Sequence, residues 1–253
     1  QEIHRMFGFE ALSEAQKSKY QTIFSVPIGN PSSLTEIAKA RLLEKGFPSP
    51  RAFSSITAIL FSYFPDKEFQ GGDYLVVDCG ASHTRMALCA VDSSKRLLRL
   101  EEDLSGATGG NEIDVLLLEH ISTILNDPQI NRLELLNFVR QFKVSFLNQV
   151  RQGSTKYVTR SPFSTGVSAF DLSLEDFQRL SRPFFETFEE TMVGFLENHK
   201  TLPANLNGLL LTGGNAQWPF VYDLVERLVG KSKVFASEYP EDAIVRGLSL
   251  AIV

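Results

Sequence analysis

The sequence predicts an α/β fold, in which a sheet is covered by helices. Two patterns indicate it: three strand-like runs follow one another as a meander between residues 74 and 100, and strand–turn–helix units alternate over residues 208–252. Of the 253 residues, 43% are hydrophobic and 22% are charged, which is ordinary for a globular protein with a large core. The 20 phenylalanines indicate that this core is rich in aromatic rings.

The first 71 residues are predicted to contain helices and one short strand. Apolar spacing, serine caps and glycine or proline stops mark their ends. The expected elements are a helix within residues 1–20, a strand from Tyr20 to Val26, a helix capped by Ser32 or Ser33 and stopped by Gly46, and a helix from Arg51 to Phe64.

The rest of the chain is predicted to alternate between strands and helices. Unbroken apolar runs indicate buried strands, and Ser173 precedes acidic residues as a helix cap does. The expected strands are Tyr74–Val77, Arg85–Val91, Arg96–Leu100, Gly208–Leu211 and Val234–Ala236, with an extended segment over Val167–Leu172. The expected helices are Ile113–Leu125, Leu133–Val150, a long helix that starts at Ser173 and reaches Asn198, Pro219–Leu228 and Asp242–Ile252.

Charge and composition exclude several classes of protein. The formal net charge of -5 disfavours a nucleic-acid-binding surface. No apolar run reaches the roughly 18 residues of a membrane span, and the first residues lack the shape of a signal peptide. Cys79 and Cys89 lie in apolar, strand-like runs, which is typical of small buried side chains. A cytoplasmic location is therefore expected, and the missing initiator Met favours a piece of a longer protein.

Residues 78–84, Asp-Cys-Gly-Ala-Ser-His-Thr, come directly after a predicted buried strand. Small residues there let backbone N–H groups approach a phosphate closely. Asp78 suits a hydrated divalent cation or an attacking water, and Thr84 can donate its hydroxyl to a phosphate oxygen. His83 could act as a phosphate donor or an acid–base group. The same pattern also fits a plain hairpin turn with a solvated Asp78 and a solvent-facing His83.

Residues 213–219, Gly-Gly-Asn-Ala-Gln-Trp-Pro, join a buried strand to a helix. Two glycines allow a ligand to lie against the backbone, and the N-terminus of the following helix favours negative or dipolar groups. Trp218 suits either stacking on a base or wedging between helix and sheet. The spacing is not the G-x-G-x-x-G dinucleotide pattern, and an ordinary strand-to-helix turn is the alternative.

A third glycine motif covers residues 105–112, Ser-Gly-Ala-Thr-Gly-Gly-Asn-Glu. It joins a strand to a helix whose first residues are acidic. On its own such a cluster of small residues marks a loop.

The order and spacing of the three motifs resemble the nucleotide-binding domain of the seventy-kilodalton heat-shock chaperones and, more distantly, actin. The matching segments are Ile23–Pro27, residues 46–64, Asp78–Leu88 with its D-x-G-x-x-x-T loop, Gly109–Asp114, residues 131–200, Leu209–Pro219 and Tyr239–Ser249. The resemblance covers nearly the whole chain and implies an actin-like, ribonuclease H-like ATPase fold. It implies one complete lobe, the second, with its helical subdomain, and part of the first lobe.

The resemblance also implies a division into four segments. Residues 1–71 would be the remainder of the first lobe, 72–110 the second-lobe sheet with the second phosphate loop, 111–205 the helical subdomain and long connecting helix, and 206–253 the strand with the adenosine motif and the closing helix. The family's first phosphate loop and its phosphate-contacting lysine lie upstream of the matched region and are absent from this sequence.

What the resemblance implies about function is a site for ATP or ADP with Mg²⁺. Asp78 would orient the attacking water and hold the metal. The residues expected to bind the nucleotide are Gly80, Ala81, Ser82, Thr84, Gly109, Gly110, Lys143, Gly213, Gly214, Asn215 and Gln217. The implied partners are the nucleotide and a C-terminal or partner protein domain.

Several positions depart from the family's pattern. Ser49 stands near the catalytic glutamate, Gln217 near the arginine that packs against adenine, and Arg140 and Leu147 near two residues that hold the adenosine. A serine cannot replace a carboxylate base, and a glutamine loses cation–π stacking. The second phosphate loop also has side chains where the family has glycines. These changes favour weak or degenerate ATPase activity.

Three functions stay open on this basis. The first is a nucleotide-binding, chaperone-like domain with a weak ATPase activity. The second is a pseudo-ATPase, a binding or scaffold module that no longer hydrolyses ATP. The third is an enzyme that uses the same cleft for another reaction, since a fold does not determine a function.

Overall fold

Two units make up the chain, one formed by residues 1–70 with 241–253 and the other by residues 71–240. The structure is a computed structural model that describes residues 13, 16, 21–26, 32–66, 68–103, 109–163, 166–237 and 239–250. The helix expected within residues 1–20 and residues 105–108 of the third glycine motif lie outside this described part.

Nine strands and seven helices are present in the described residues. The strands are β1 (Ile23–Val26), β2 (Arg51–Ser54), β3 (Gly72–Cys79), β4 (Thr84–Val91), β5 (Leu97–Asp103), β6 (Lys156–Arg160), β7 (Ala169–Ser173), β8 (Gly208–Thr212) and β9 (Val234–Ala236). The helices are α1 (Ser32–Glu44), α2 (Ser55–Tyr63), α3 (Gly110–Leu125), α4 (Arg132–Arg151), α5 (Leu174–Asn198), α6 (Pro219–Val229) and α7 (Ala243–Leu250).

In the first unit, β1 and β2 pair in parallel and α2 follows β2 directly. The helix predicted from Arg51 to Phe64 is therefore wrong over its first four residues, which form β2. The hydroxyl of Ser54 accepts the N–H of Thr57 at 3.4 Å and so caps α2 at its true start. The strand arises from pairing with β1, a non-local contact that helix periodicity does not reveal.

Helix α7 packs against α2 within this first unit. Gly247 makes the contact possible, because a Cβ there would lie 1.5 Å from the carbonyl oxygen of Ala58. The sequence-based division places this closing helix with β8. The difference arises because a backbone-to-backbone contact between distant segments leaves no mark on the periodicity of either. The assignment of segments to actin-like lobes stays a prediction.

The second unit contains a five-stranded mixed sheet in the order β5-β4-β3-β8-β9. β3, β4 and β5 form the predicted antiparallel meander, and β8 and β9 add in parallel to the other side of β3. Every residue of β8 is buried, as expected for a strand with both faces covered. The predicted α/β class is confirmed.

Helices and an aromatic core cover this sheet. The ring of Trp218 stacks on Phe177 with centroids 4.4 Å apart, and Phe146 packs beside both. Trp218 is 1% exposed, so it is a wedge in the core, which is the second of the two predicted alternatives. Within the described residues, no helix combines the length and apolar character needed to cross a membrane.

Candidate functional site

The two glycine turns that follow β3 and β8 lie side by side at one edge of the sheet. β3 and β8 are parallel neighbours, in register at Asp78 and Thr212, so their carboxyl ends coincide. The amide Nδ2 of Asn215 donates to the carbonyl oxygen of Gly80 at 2.6 Å. Ligands of open α/β sheets bind outside such carboxyl ends, which makes this edge the candidate site.

The third glycine turn, at the start of α3, joins the same edge. The N–H of Gly110 donates to the carbonyl of Gly80 at 3.2 Å, and the N–H of Asn111 donates to the carbonyl of Ala81 at 2.7 Å. All three turns therefore meet around residues 80 and 81. We call them the turn cluster: residues 80–83, 109–112 and 213–217.

Most glycines of the turn cluster have no room for a side chain. A Cβ on Gly213 would lie 2.5 Å from the carbonyl oxygen of Cys79, and the φ angle of Gly213 is +89°, in the left-handed region. A Cβ on Gly109 would lie 2.4 Å from the backbone of Ser82. Gly214 is different, since it is exposed and nothing lies within 4 Å of the position of its Cβ. The cluster is thus closely packed inside and open at Gly214.

Asp78 places a half-buried carboxylate against this cluster. Its Oδ1 would be 2.7 Å from a Cβ on Gly213. Burial raises the pKa of Asp78, and the positive charge of Arg85, its register partner on β4, opposes this effect. A carboxylate in such an environment suits a general base or a partner of metal-bound water. The catalytic and metal-binding roles of Asp78 stay predictions.

The other predicted residues of the first turn differ in accessibility. Thr84 is 2% exposed, so its hydroxyl lies inside the protein at the start of β4. Ala81, Ser82 and His83 are exposed. The turn therefore presents its middle residues to solvent, and His83 takes the solvent-facing position of the plain hairpin alternative.

Lys143, which was predicted to contact the nucleotide, is bound by groups of the protein itself. Its Nζ contacts one carboxylate oxygen of Asp114 and donates to the carbonyl of Gly110 at 3.0 Å. The Nε of Arg140 lies 3.2 Å from the other oxygen of Asp114. The side chains of Asp114 and Lys143 are 4% and 16% exposed, so this ion pair is largely buried, and the half-exposed Arg140 adds a second cation beside the same carboxylate.

A cavity of about 280 Å³ opens beside Gln217, at the carboxyl ends of β8 and β9. The Oε1 of Gln217 accepts a hydrogen bond of 2.6 Å from Nη1 of Arg151. Leu211 and Tyr222 line the cavity with apolar surface, and Asp223 contributes a carboxylate to its lining. The predicted nucleotide residue Gln217 is therefore joined to the end of α4 by the guanidinium of Arg151.

Comparison with known proteins gives a distant relationship. No family model matches the chain. It is similar to a "97 kDa heat shock protein" of Strongylocentrotus purpuratus, at 20% identity, and to the protein of the same description from Mesocentrotus franciscanus, at 19% identity. Each match covers 99% of this chain.

The chain is distantly related to heat shock proteins. It spans 30% of the length of the curated relatives it matches, so the activity of a whole relative is not carried over to it. The relationship supports the coarse part of the resemblance drawn from the three glycine motifs. The finer part, an actin-like ATPase, stays a prediction.

Three charged residues at the site were not predicted as functional. Arg85 could have been found from the hairpin, because a turn over residues 80–83 places it opposite Asp78. Asp114 closes the Gly-Gly-Asn-Glu-Ile-Asp run, but its ion partners on α4 come more than 25 residues later. Arg151 carries no signal in the sequence, since its bond to Gln217 spans 66 positions.

Proposed function

We propose that this chain is the nucleotide-binding module of a heat-shock-chaperone-like protein, and that it binds ATP or ADP with Mg²⁺ at the turn cluster. The observation that carries the proposal is the meeting of three glycine turns, two of them at the carboxyl ends of β3 and β8, with the half-buried carboxylate of Asp78 beside Gly213. Small turns of this kind let backbone N–H groups approach phosphates. The distant relationship to heat shock proteins supports the chaperone-like part.

The groups at the cluster fit a nucleotide in part. Ala81, Ser82 and Gly214 are exposed, so phosphate oxygens can reach their backbone. Thr84 and Lys143 do not fit, because one is buried and the other is held by Asp114. The proposed contacts are therefore mostly with the backbone, and such a site binds more weakly than one with charge-assisted side-chain contacts.

A magnesium ion would have few protein ligands here. The described residues contain no group of three or more His, Cys, Asp or Glu side chains that could hold a metal. Mg²⁺ commonly takes one or two carboxylates and completes its shell with water and phosphate oxygens. Asp78 meets that requirement, directly or through water. When bound, the metal would neutralise phosphate charge, while Asp78 would orient a water molecule.

The residues of the site also predict that ATP hydrolysis is weak. Asp78 is the carboxylate assigned to the chemistry, and Ser49 stands near the position of the family's catalytic glutamate, so that second acid–base group is missing. Loss of a positioned acid–base or charge-stabilising group lowers rates by orders of magnitude. We therefore expect the chain to bind ATP measurably but to hydrolyse it only slowly.

The second candidate is a pseudo-ATPase module that binds a protein partner and no longer hydrolyses ATP. Its supporting observation is that polar groups of predicted nucleotide residues bond to the protein itself. Lys143 pairs with Asp114, Asn215 with Gly80, and Gln217 with Arg151. A module held in this way keeps its shape without a nucleotide.

Thermal unfolding with and without Mg·ATP separates the two candidates. A ligand at about 100 times its Kd stabilises the folded state by roughly 2.7 kcal/mol, so millimolar nucleotide should raise Tm by several degrees if Kd is micromolar. Replacing Gly214 with Glu should remove the shift, because the open Cβ position accepts the side chain and its charge repels phosphate. Gly214→Gln, of equal size and no charge, is the control and should keep most of it. An unchanged Tm of the wild-type chain would exclude the first candidate and favour the second.

A further inference from the structure

The turn cluster is joined to helices α3 and α4 by the ion cluster of Asp114, Lys143 and Arg140. Asp114 lies on the first turns of α3, and Lys143 and Arg140 lie one turn apart on α4. Lys143 also donates to the carbonyl of Gly110, which begins α3. One lysine therefore links α4 both to the side chain of Asp114 and to the backbone of the third glycine turn.

Asn215 links the second glycine turn to the other two. Its Nδ2 donates to Gly80 at 2.6 Å, and the side chain is nearly buried. A Cβ on Gly110 would lie 2.4 Å from this same Nδ2, so the amide lies directly against the start of α3. The amide of Asn215 therefore contacts both the first and the third turn.

Release of Lys143 toward a ligand is unfavourable in this arrangement. It would leave the carboxylate of Asp114, which is 4% exposed, with Arg140 alone, whose side chain is 51% exposed. A buried charge that loses a partner destabilises the protein strongly. The carbonyl of Gly110 would lose the ammonium donor of Lys143 at the same time.

We propose that the Asp114–Lys143–Arg140 cluster and Asn215 together form a ligand-independent lock that holds α3 and α4 to the sheet edge. A nucleotide that binds at the exposed residues of the turn cluster then leaves these helices where they are. The effect of the nucleotide on α3 and α4 rests on the proposed function. The lock itself does not, because its contacts are all within the protein.

Hydrogen exchange of the full chain tests the lock. In wild-type protein without ligand, amides of residues 110–114 and 140–147 should be protected about as well as those of the central strand β3, and Mg·ATP should change their exchange by less than about twofold. Asp114→Asn should speed their exchange by roughly tenfold or more, because two cations lose their partner. Asp171→Asn is the matched control: it breaks the exposed pair with Lys156 and should leave these amides unchanged.

The outcomes distinguish the lock from the nucleotide proposal. If these amides are protected without ligand and Mg·ATP does not raise Tm, the lock is supported and nucleotide binding is contradicted. If these amides are poorly protected without ligand and Mg·ATP slows their exchange by about tenfold or more, the lock is contradicted and the nucleotide site is supported. If Asp114→Asn does not fold, the wild-type comparison with and without Mg·ATP still decides, and Arg140→Gln gives a milder change in the same cluster.

Discussion

At the residue scale, the environment of Asp78 is unfavourable for its charged form. Burial raises the pKa of Asp78 above its ordinary value of 3.8, and the nearby Arg85 only partly opposes this. A surface carboxylate would not carry this penalty. Groups that destabilise a fold are common where a site needs them for binding or chemistry.

The raised pKa of Asp78 predicts a specific dependence of stability on pH. Since the folded-state pKa lies above the unfolded one, the contribution of Asp78 is fully favourable below 3.8 and is lost as pH rises through the folded-state pKa. Asp78→Asn removes the charge and should raise Tm by a few degrees at neutral pH. The advantage should vanish in acid. Urea or thermal unfolding of both proteins over a pH series measures it.

Asp92 provides a control of opposite sign. Its carboxylate accepts the backbone N–H groups of Arg96 and Ser94 at 2.9 and 2.8 Å, and these bonds, first that of Arg96, lower the pKa of Asp92. Asp92→Asn should therefore lower Tm at neutral pH, and the loss should shrink as pH falls through the lowered pKa. If both variants show the pH slope of the wild type, the assigned environments are wrong.

At the element scale, the long helix α5 depends on its cap. The hydroxyl of Ser173 accepts the N–H of Asp176 at 3.0 Å and donates to the carboxylate of Asp176 at 2.6 Å. This bond is the largest of the effects that lower the pKa of Asp176. The serine and the acidic first turn thus support each other.

Ser173→Ala should cost about 1 kcal/mol of unfolding free energy, as loss of a serine cap does. The pKa of Asp176 should rise toward its ordinary value, because the hydroxyl donor is gone. Urea unfolding measures the first effect and an NMR titration of the carboxylate the second. Thr187→Ala, which removes a hydroxyl bonded to Pro183 within the same helix, should change stability by no more than about 0.5 kcal/mol. Equal losses in the two variants would argue against the cap.

The sequence predicted elements well where the signal was local. The strands β3 and β8 each contain an unbroken apolar run, Tyr74–Val77 and Leu209–Leu211, and a glycine follows each strand. Ser173 marks the start of α5 with its own side chain. β6 was missed because its five residues, Lys-Tyr-Val-Thr-Arg, are polar at three positions and its exposed face includes Val158. Its strand character comes from pairing with β7, which local patterns do not encode.

Residues of the candidate site also differ in whether a local sequence pattern reveals them. Its glycines were found because close backbone approach leaves no alternative to glycine, as at Gly213. The partner of Lys143 was not found, because an ion pair between α3 and α4 depends on how two helices pack. Sequence patterns therefore located the turns of the site and left its electrostatics to the structure.

At the scale of the whole molecule, the chain divides into two compact units. The contact of α7 with α2 belongs to the first unit, and the single tryptophan, Trp218, lies in the aromatic core of the second. Tryptophan fluorescence thus reports on the second unit alone, whereas far-UV circular dichroism reports on helices of both. The two signals can tell whether the units unfold independently.

Gly247→Ala should destabilise the first unit selectively. The added Cβ would lie 1.5 Å from the carbonyl oxygen of Ala58, so α7 must move away from α2, at a cost of about 2 kcal/mol or more. In urea, the circular dichroism transition should gain an early phase while the Trp218 transition keeps its midpoint. Gly194→Ala is the matched control, since nothing lies within 4 Å of its Cβ on α5. It should stabilise α5 by up to about 1 kcal/mol and move the Trp218 transition upward. A joint shift of both signals in Gly247→Ala would mean that the units unfold as one cooperative body, because a contact confined to α2 and α7 would then have reached the core around Trp218.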